Sequence, residues 1–167
     1  MPFLFDGYNV YHAAMKLSEE WTHITPLNLC RLIDEDIHRL AETATIVFDG
    51  AQPRGWRIDE IEQNGNTRIV FSGPKSDADT LLEELISKNT APRRLIVVSS
   101  DNRIRRYARR RRCTSLRAND YLVGMVKRDR QPPPRPKEPR EKHRGVPEGQ
   151  LNEWLELFGI DPDEPQK

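Results

Sequence analysis

Residues 95–112 read LIVVSSDNRIRRYARRRR. Four apolar residues in a row, Leu95–Val98, suit a strand buried on both faces of a parallel sheet, because a half-exposed strand would alternate with polar residues. Two serines and Asp101 break the run. Ile104, Tyr107 and Ala108 then recur at the spacing that gathers them on one side of a helix, predicted over Arg103–Arg112. Three more runs share the design: PFLF at 2–5, TIVF at 45–48 and RIVF at 68–71. Between the first two, Leu29, Leu32, Ile33, Ile37 and Leu40 recur at helical spacing and predict a helix over Pro26–Glu42, with Thr25 as its N-cap and Pro26 in its first turn. Ser76–Lys88 predicts another, with Leu81, Leu82, Leu85 and Ile86 inward and Ser76 with Asp79 as a capping arrangement. A short helix near Ile58–Glu62 interrupts the long polar link Gly50–Thr67. A short strand near Cys113–Leu116 and a helix near Asp120–Lys127 follow. Strands alternating with helices predict an α/β fold in three layers, a central, mostly parallel sheet with helices on both faces.

The 167 residues are 36% hydrophobic and 32% charged, enough for one core under a strongly ionic surface. No apolar run approaches the roughly 18 residues of a membrane helix. The opening MPFLFDGYNV has no basic segment and carries an acid at position six, so it does not read as a secretory signal. Cys30 and Cys113 lack metal-ligand spacing and read as two reduced core thiols of a cytoplasmic protein. The net charge of +1 hides a segregation: seven of the ten residues from Arg103 to Arg112 are Arg, so the rest of the chain is net acidic. Residues 1–128 are expected to form the α/β domain. Residues 129–147 hold six of the 13 prolines and read as an extended basic linker. Residues 148–167 read as a short amphipathic helix, with Leu151, Trp154, Leu155 and Phe158 on one face, followed by an acidic tail.

In an open parallel sheet, ligands bind beyond the carboxyl ends of the strands, where strand order reverses. Acids stand at those ends. Asp6 follows PFLF, Asp49 follows TIVF, Asp77 and Asp79 come just after RIVFS, and Asp101 follows LIVVSS. Each has a plain alternative: Asp101 as a helix cap, Asp77 and Asp79 as complements to a helix dipole, Asp49-Gly50 as a turn. Gly7 after Asp6 permits close backbone approach. Gathered at one rim, such carboxylates are tolerable when a cation neutralises them, and an all-oxygen donor set suits Mg²⁺ or Mn²⁺.

FDGYNV, IVFDG, FSGPKSDADTLLEEL, LIVVSSDNRIRRYAR and NDYL, in this order between Pro2 and about Met125, resemble the YacP-like NYN domains, PIN-like metal-dependent ribonucleases. The resemblance implies a three-layer PIN-like fold and a Mg²⁺- or Mn²⁺-dependent endoribonuclease leaving 5′-phosphate and 3′-hydroxyl ends. It implies Asp6, Asp79 and Asp101 as catalytic, metal-binding acids, and Asn9 as the residue that orients the site or holds the phosphate. Where the family carries Ala-Asp-Asp, this chain has Ala78-Asp79-Thr80; Asp77 is the candidate substitute. Asp49 and Asp120 are secondary candidates.

Arg103, Arg105, Arg106, Arg109, Arg110 and Arg112 are expected to bind RNA phosphates beside the acids, since guanidinium groups grip phosphate bidentately. Arg54, Trp56 and Arg57 are candidates for a stacking surface. The expected partner is messenger or structured RNA, with a ribosome or RNA-decay partner for the C-terminal segment through Trp154 and Phe158. That helix packing back on its own domain, or its acids covering the arginines, are the alternatives. The histidines, His12 among them, are assigned no role. A phosphatase of related fold needs an acid two residues after Asp6, where Tyr8 stands. A P-loop is ruled out, since the chain has no Gly-rich loop ending in Gly-Lys-Ser/Thr. The competing reading is an inactive NYN domain that binds RNA or protein without cutting.

Overall fold

The computed structural model describes residues 2–63 and 65–130. The expected linker and terminal helix lie almost wholly beyond them. Five strands, β1 (Phe3–Asp6), β2 (Ala44–Phe48), β3 (Thr67–Phe71), β4 (Ile96–Val98) and β5 (Thr114–Leu116), form one sheet in the order β3-β2-β1-β4-β5, with every pairing parallel. The helices are α1 (Gly7–Met15), α2 (Pro26–Arg39), α3 (Asp59–Glu62), α4 (Ala78–Lys88), α5 (Asn102–Arg110) and α6 (Ala118–Asp129). The expected α/β class holds.

The apolar runs explain the layering. Successive strand side chains alternate faces. Phe3, Phe5, Ile46 and Phe48 enter one core with Val10 and Ala14 of α1, Ile33 and Ile37 of α2, and Leu122 and Met125 of α6. Leu4, Val47 and Val97 enter the other, against Leu82 and Ile86 of α4 and Ile104 and Ala108 of α5. The chain lays β1, β2 and β3 outward in one direction and then crosses back to β4 on the other side of β1. Because such crossovers are right-handed, the reversal moves α4 and α5 to the opposite face. The reversal point therefore lies between β1 and β4.

Several element bounds differ from expectation. Helix α1 has no counterpart among the expected elements; here Asp6 ends β1 and its carboxylate accepts the Asn9 N–H as the N-cap of α1. Thr25 and Pro26 do start α2. Its Leu32 is not inward but exposed, at 37%. Helix α4 is capped by Asp77, which accepts from Thr80 N at 2.6 Å, rather than by Ser76. Helix α5 ends at Arg110, and Arg112 beyond it takes a left-handed backbone conformation.

A buried polar knot ties α2 to α6. Arg128 Nε and Nη2 donate to the two carboxylate oxygens of Asp36 at 2.8 and 2.7 Å, and Tyr121 Oη donates to the same carboxylate at 2.9 Å. The Tyr121 ring stands edge-on to Phe5, 4.8 Å between centroids, so the knot is anchored in the sheet-facing core. Cys30 and Cys113 are buried free thiols, as expected. No helix among the described residues is long and apolar enough to cross a membrane.

Gly7 has a packing reason. A Cβ on it would stand 2.6 Å from a ring carbon of Phe48, a fully buried side chain held by Tyr8, Trp56 and Phe71. Alanine gains about 0.5–1 kcal/mol of helix preference, but overpacking a closed core costs about 1–3 kcal/mol. The clash wins: Gly7→Ala should lower the Tm by several degrees in a thermal melt, and an unchanged Tm contradicts this packing account.

Candidate active site

Five aspartates, Asp6, Asp49, Asp77, Asp79 and Asp101, line one open groove at the carboxyl edge of the sheet, with Tyr8, Asn9, His12 and Ala78 completing its walls and a volume of about 380 Å³. The groove sits over the β1/β4 reversal, where the topology leaves space between helices that depart to opposite faces.

Each acid is set in place by backbone it helps to satisfy. Asp6 is buried at 8% exposure; one oxygen caps α1 and the other accepts from Ser99 Oγ at 2.9 Å. Ser99, itself fully buried, accepts the Asp101 N–H at 3.0 Å. Asp101 Oδ1 caps α5 by accepting from Arg103 N at 2.6 Å and Ile104 N at 3.2 Å. Asn9 Oδ1 accepts the Ser100 N–H at 2.8 Å, tying α1 to the end of β4. Asp49 accepts from Ser72 Oγ and from Ala78 N, which fastens the start of α4 to the end of β2. The preceding loops are held by an antiparallel bridge between Gly50 and Gly73, both at positive φ, as glycine allows.

The plain alternatives and the functional reading therefore coexist. Asp77 and Asp101 are caps, Asp49 is not a local turn acceptor but a long-range one tying β2 to the start of α4, and all three face the groove. Oδ1 is the capping oxygen of both Asp77 and Asp101, and Asp77 also bonds the Thr80 side chain.

The electrostatics follow from crowding. Burial pushes the Asp6 carboxyl above the usual carboxylate range, and the charges of Asp79 and Asp101 push it the same way, against the pull of Ser99 and Asn9. Asp79 is also raised, first by burial and then by Asp101, with Arg103 opposing. Asp77, exposed and hydrogen-bonded by Thr80, is lowered. Both are raised first by burial, with neighbouring carboxylates adding to it, and a hard cation opposes both effects. The sequence leads one to expect Asp6, Asp79 and Asp101 within coordination reach of one another. They share the groove, but among the described residues no three His, Cys, Asp or Glu side chains stand close enough together to hold a metal ion, so that expectation is not met. Like charges held on three separate helix starts stand apart.

The arginines divide by position. Arg103 Nε donates to Glu83 at 2.9 Å and its Nη1 lies 3.7 Å from Asp79, so the residue nearest the groove is engaged with acids. Arg103, Arg106, Arg109 and Arg110 line a shallow basic depression that begins at that pair. Arg106 donates to the Asn102 carbonyl, and Arg110 stacks over Tyr107 at 5.7 Å. Arg105 is half-buried and faces Arg117, Arg109 and Asp120, on another side of α5. Arg112 follows the helix at the opposite edge of the sheet, because α5 runs away from the groove. The structure does not bring Asp120 to the groove; it lies exposed in the first turn of α6. Nor does it bring Arg54, Trp56 and Arg57. Arg57 pairs with Glu60 at 3.0 Å, and Trp56 packs half-buried against Phe48 and Phe71, so the expected stacking role of Trp56 gives way to core packing.

Sequence reasoning missed Ser99, Ser100, Glu83, Tyr8 and His12. The Ser-Ser pair between LIVV and Asp101 was the available signal for the first two. The others depend on which helix faces which.

Comparison with known families adds the deciding observation: the profile of the YacP-like NYN domain matches residues 3–154. The chain belongs to the YacP-like NYN domain family. Its fold is shared with the crystal structure of Rae1 (YacP) from Bacillus subtilis, at a TM-score of 0.58 and 18% identity over 95% of this chain and 84% of that one. A mutant form of the same protein gives a TM-score of 0.59 and 18% identity over 77% of each chain. No curated protein matches by sequence. At this identity the neighbours show a shared fold and nothing finer.

An acid whose folded pKa exceeds its unfolded value takes up a proton on folding. Its cost to stability is absent below the unfolded value, about 3.9, and grows as pH rises through the folded one. Asp6→Asn keeps an acceptor for the cap and removes the buried charge. With EDTA present the variant should melt above the parent at pH 7, the gap closing as pH falls toward about 4. Equal melting at pH 7 rules out an unrelieved carboxylate.

Proposed function

We propose that this NYN domain is a metal-dependent endoribonuclease. The observation that carries the reading is that a basic strip on α5 abuts the aspartate groove at the Arg103–Asp79 contact. Phosphodiester cleavage needs both at once: cationic groups to seat a polyanion, and clustered carboxylates to hold hard cations against a phosphate.

Asp6, Asp79 and Asp101 are the proposed catalytic and metal-holding groups, with Asp77 and Asp49 beside them. Their oxygens are hard donors that fit Mg²⁺ or Mn²⁺. When bound, such an ion supplies Lewis acidity at the phosphate and acidifies a water. Asn9 is held by Ser100 N–H, which leaves its side-chain N–H₂ to donate to a phosphate oxygen in the groove. Arg106, Arg109 and Arg110 seat the flanking phosphates and fix the register without reading sequence. The family likeness favours 5′-phosphate and 3′-hydroxyl products. Thr80, standing where the family carries an acid, favours the rival reading of an RNA-binding domain without cleavage.

Labelled single-stranded RNA incubated with the protein separates the two. Cleavage should require Mg²⁺ or Mn²⁺, stop in EDTA, and fall at least about a hundredfold in Asp6→Asn, Asp79→Asn and Asp101→Asn. Asparagine keeps the capping acceptor at positions 6 and 101, so folding should survive. Cleavage undiminished in Asp6→Asn overturns the assignment; binding without cleavage selects the rival.

The arginine strip makes a separate prediction. Log affinity should fall linearly with log salt, and each phosphate contact removed should lower the slope by about 0.7 for a single strand. Replacing Arg106 and Arg110 together by Gln should cost about twice that. A slope unchanged in a filter-binding titration places the RNA elsewhere.

A further inference from the structure

We infer that Tyr8 and His12 form a base-stacking platform on the wall of the aspartate groove, so that the RNA held there presents an unpaired nucleotide next to the scissile phosphate. This rests on the ribonuclease reading and adds what that reading lacks, the form of RNA the groove accepts.

The two rings stand one turn apart on α1, where residues i and i+4 share a face. Their centroids are 6.4 Å apart with planes inclined by 28°. Tyr8 is fixed from beneath: its ring meets Phe48 edge-on at 5.0 Å, and Phe48 is itself wedged between Trp56 and Phe71. His12 is different. It is exposed, and among the described residues it meets Tyr8 and Tyr11 through ring contacts. Both rings line the same groove as Asp6, Asn9, Asp79 and Asp101. An aromatic surface whose inner ring rests on the buried Phe48 and whose outer ring is open to water, beside the proposed phosphate site, has one common use in nucleic-acid proteins. Nucleobases stack on such surfaces whatever their identity, because every base has a π-face. A base within a duplex is already stacked on both sides, so the platform selects a single strand or a loop.

The alternative use for His12 is as a cation to phosphate. Substitutions tell the two apart. The probe is a short single-stranded oligoadenylate in which 2-aminopurine replaces one adenine at a time, titrated with the full chain in EDTA so that no cleavage intervenes. Wild-type protein should quench the fluorescence at one position. His12→Ala should abolish the quench and weaken binding about tenfold, the scale of one lost stacking contact. His12→Phe should restore both, which a lost cation would not allow. Tyr8→Phe should behave as wild type and Tyr8→Leu as His12→Ala, with circular dichroism confirming that each variant folds. An abasic nucleotide at the quenched position should add no further loss in His12→Ala. Undiminished quenching in both His12→Ala and Tyr8→Leu, or failure of His12→Phe to rescue, overturns the platform. The ribonuclease reading fails separately: quenching with no Mn²⁺-dependent cleavage defeats that reading alone, and cleavage with no quenching defeats only the platform.

Discussion

The hydroxyl of Ser99 holds the site together. It donates to the buried carboxylate of Asp6 and accepts the backbone N–H of Asp101, joining the ends of β1 and β4 at the point where strand order reverses. A buried carboxylate with neighbouring carboxylates is costly, and its cost is bearable only when its oxygens are satisfied. Here one oxygen takes a helix cap and the other takes Ser99. The remaining architecture follows from keeping that arrangement. Asn9 fastens α1 to Ser100, Asp49 fastens α4 to β2, and Gly7 lets α1 settle against Phe48.

Capping and chemistry are not competing explanations in this fold. A helix that starts at the carboxyl edge of a parallel strand needs an acceptor at its first turn. An aspartate that fills this need at Asp6, Asp77 or Asp101 is thereby aimed at the shared rim with its position fixed by backbone hydrogen bonds. The same geometry supplies both stability and a site, so the ordinary reading of each acid strengthens the functional one. Repulsion still separates the carboxylates, and Arg103, bridging Glu83 and Asp79, takes up part of it.

The basic strip and the acidic groove meet without cancelling because α5 begins at the rim and runs away from it. Arg103, in the first turn, is neutralised by acids. Arg106 and Arg110, on successive turns, are not held by any carboxylate among the described residues and remain for an external polyanion. Charge segregation along ten residues of sequence becomes charge segregation in space through one helical rise.

Much of the fold is legible in the amino-acid sequence. Continuous apolar runs in Leu95–Val98 and Thr45–Phe48 force strands buried on both faces, and their alternation with amphipathic segments forces helices on both sides. The acids at the strand ends are legible for the same reason: a buried strand ends where the first charge appears. Local sequence does not carry what depends on facing partners. Helix α1 is not among the elements expected from the sequence; in the fold its first residue, Gly7, lies close against Phe48 from another strand. Trp56 looks available until it packs half-buried against Phe48 and Phe71, and Leu32 looks buried though its side of α2 is exposed. The one-dimensional chain determines which residues must leave water and which must meet it; only the three-dimensional packing decides which of them meet one another, since contacts between Asp6 and Ser99, 93 residues apart, have no local signature.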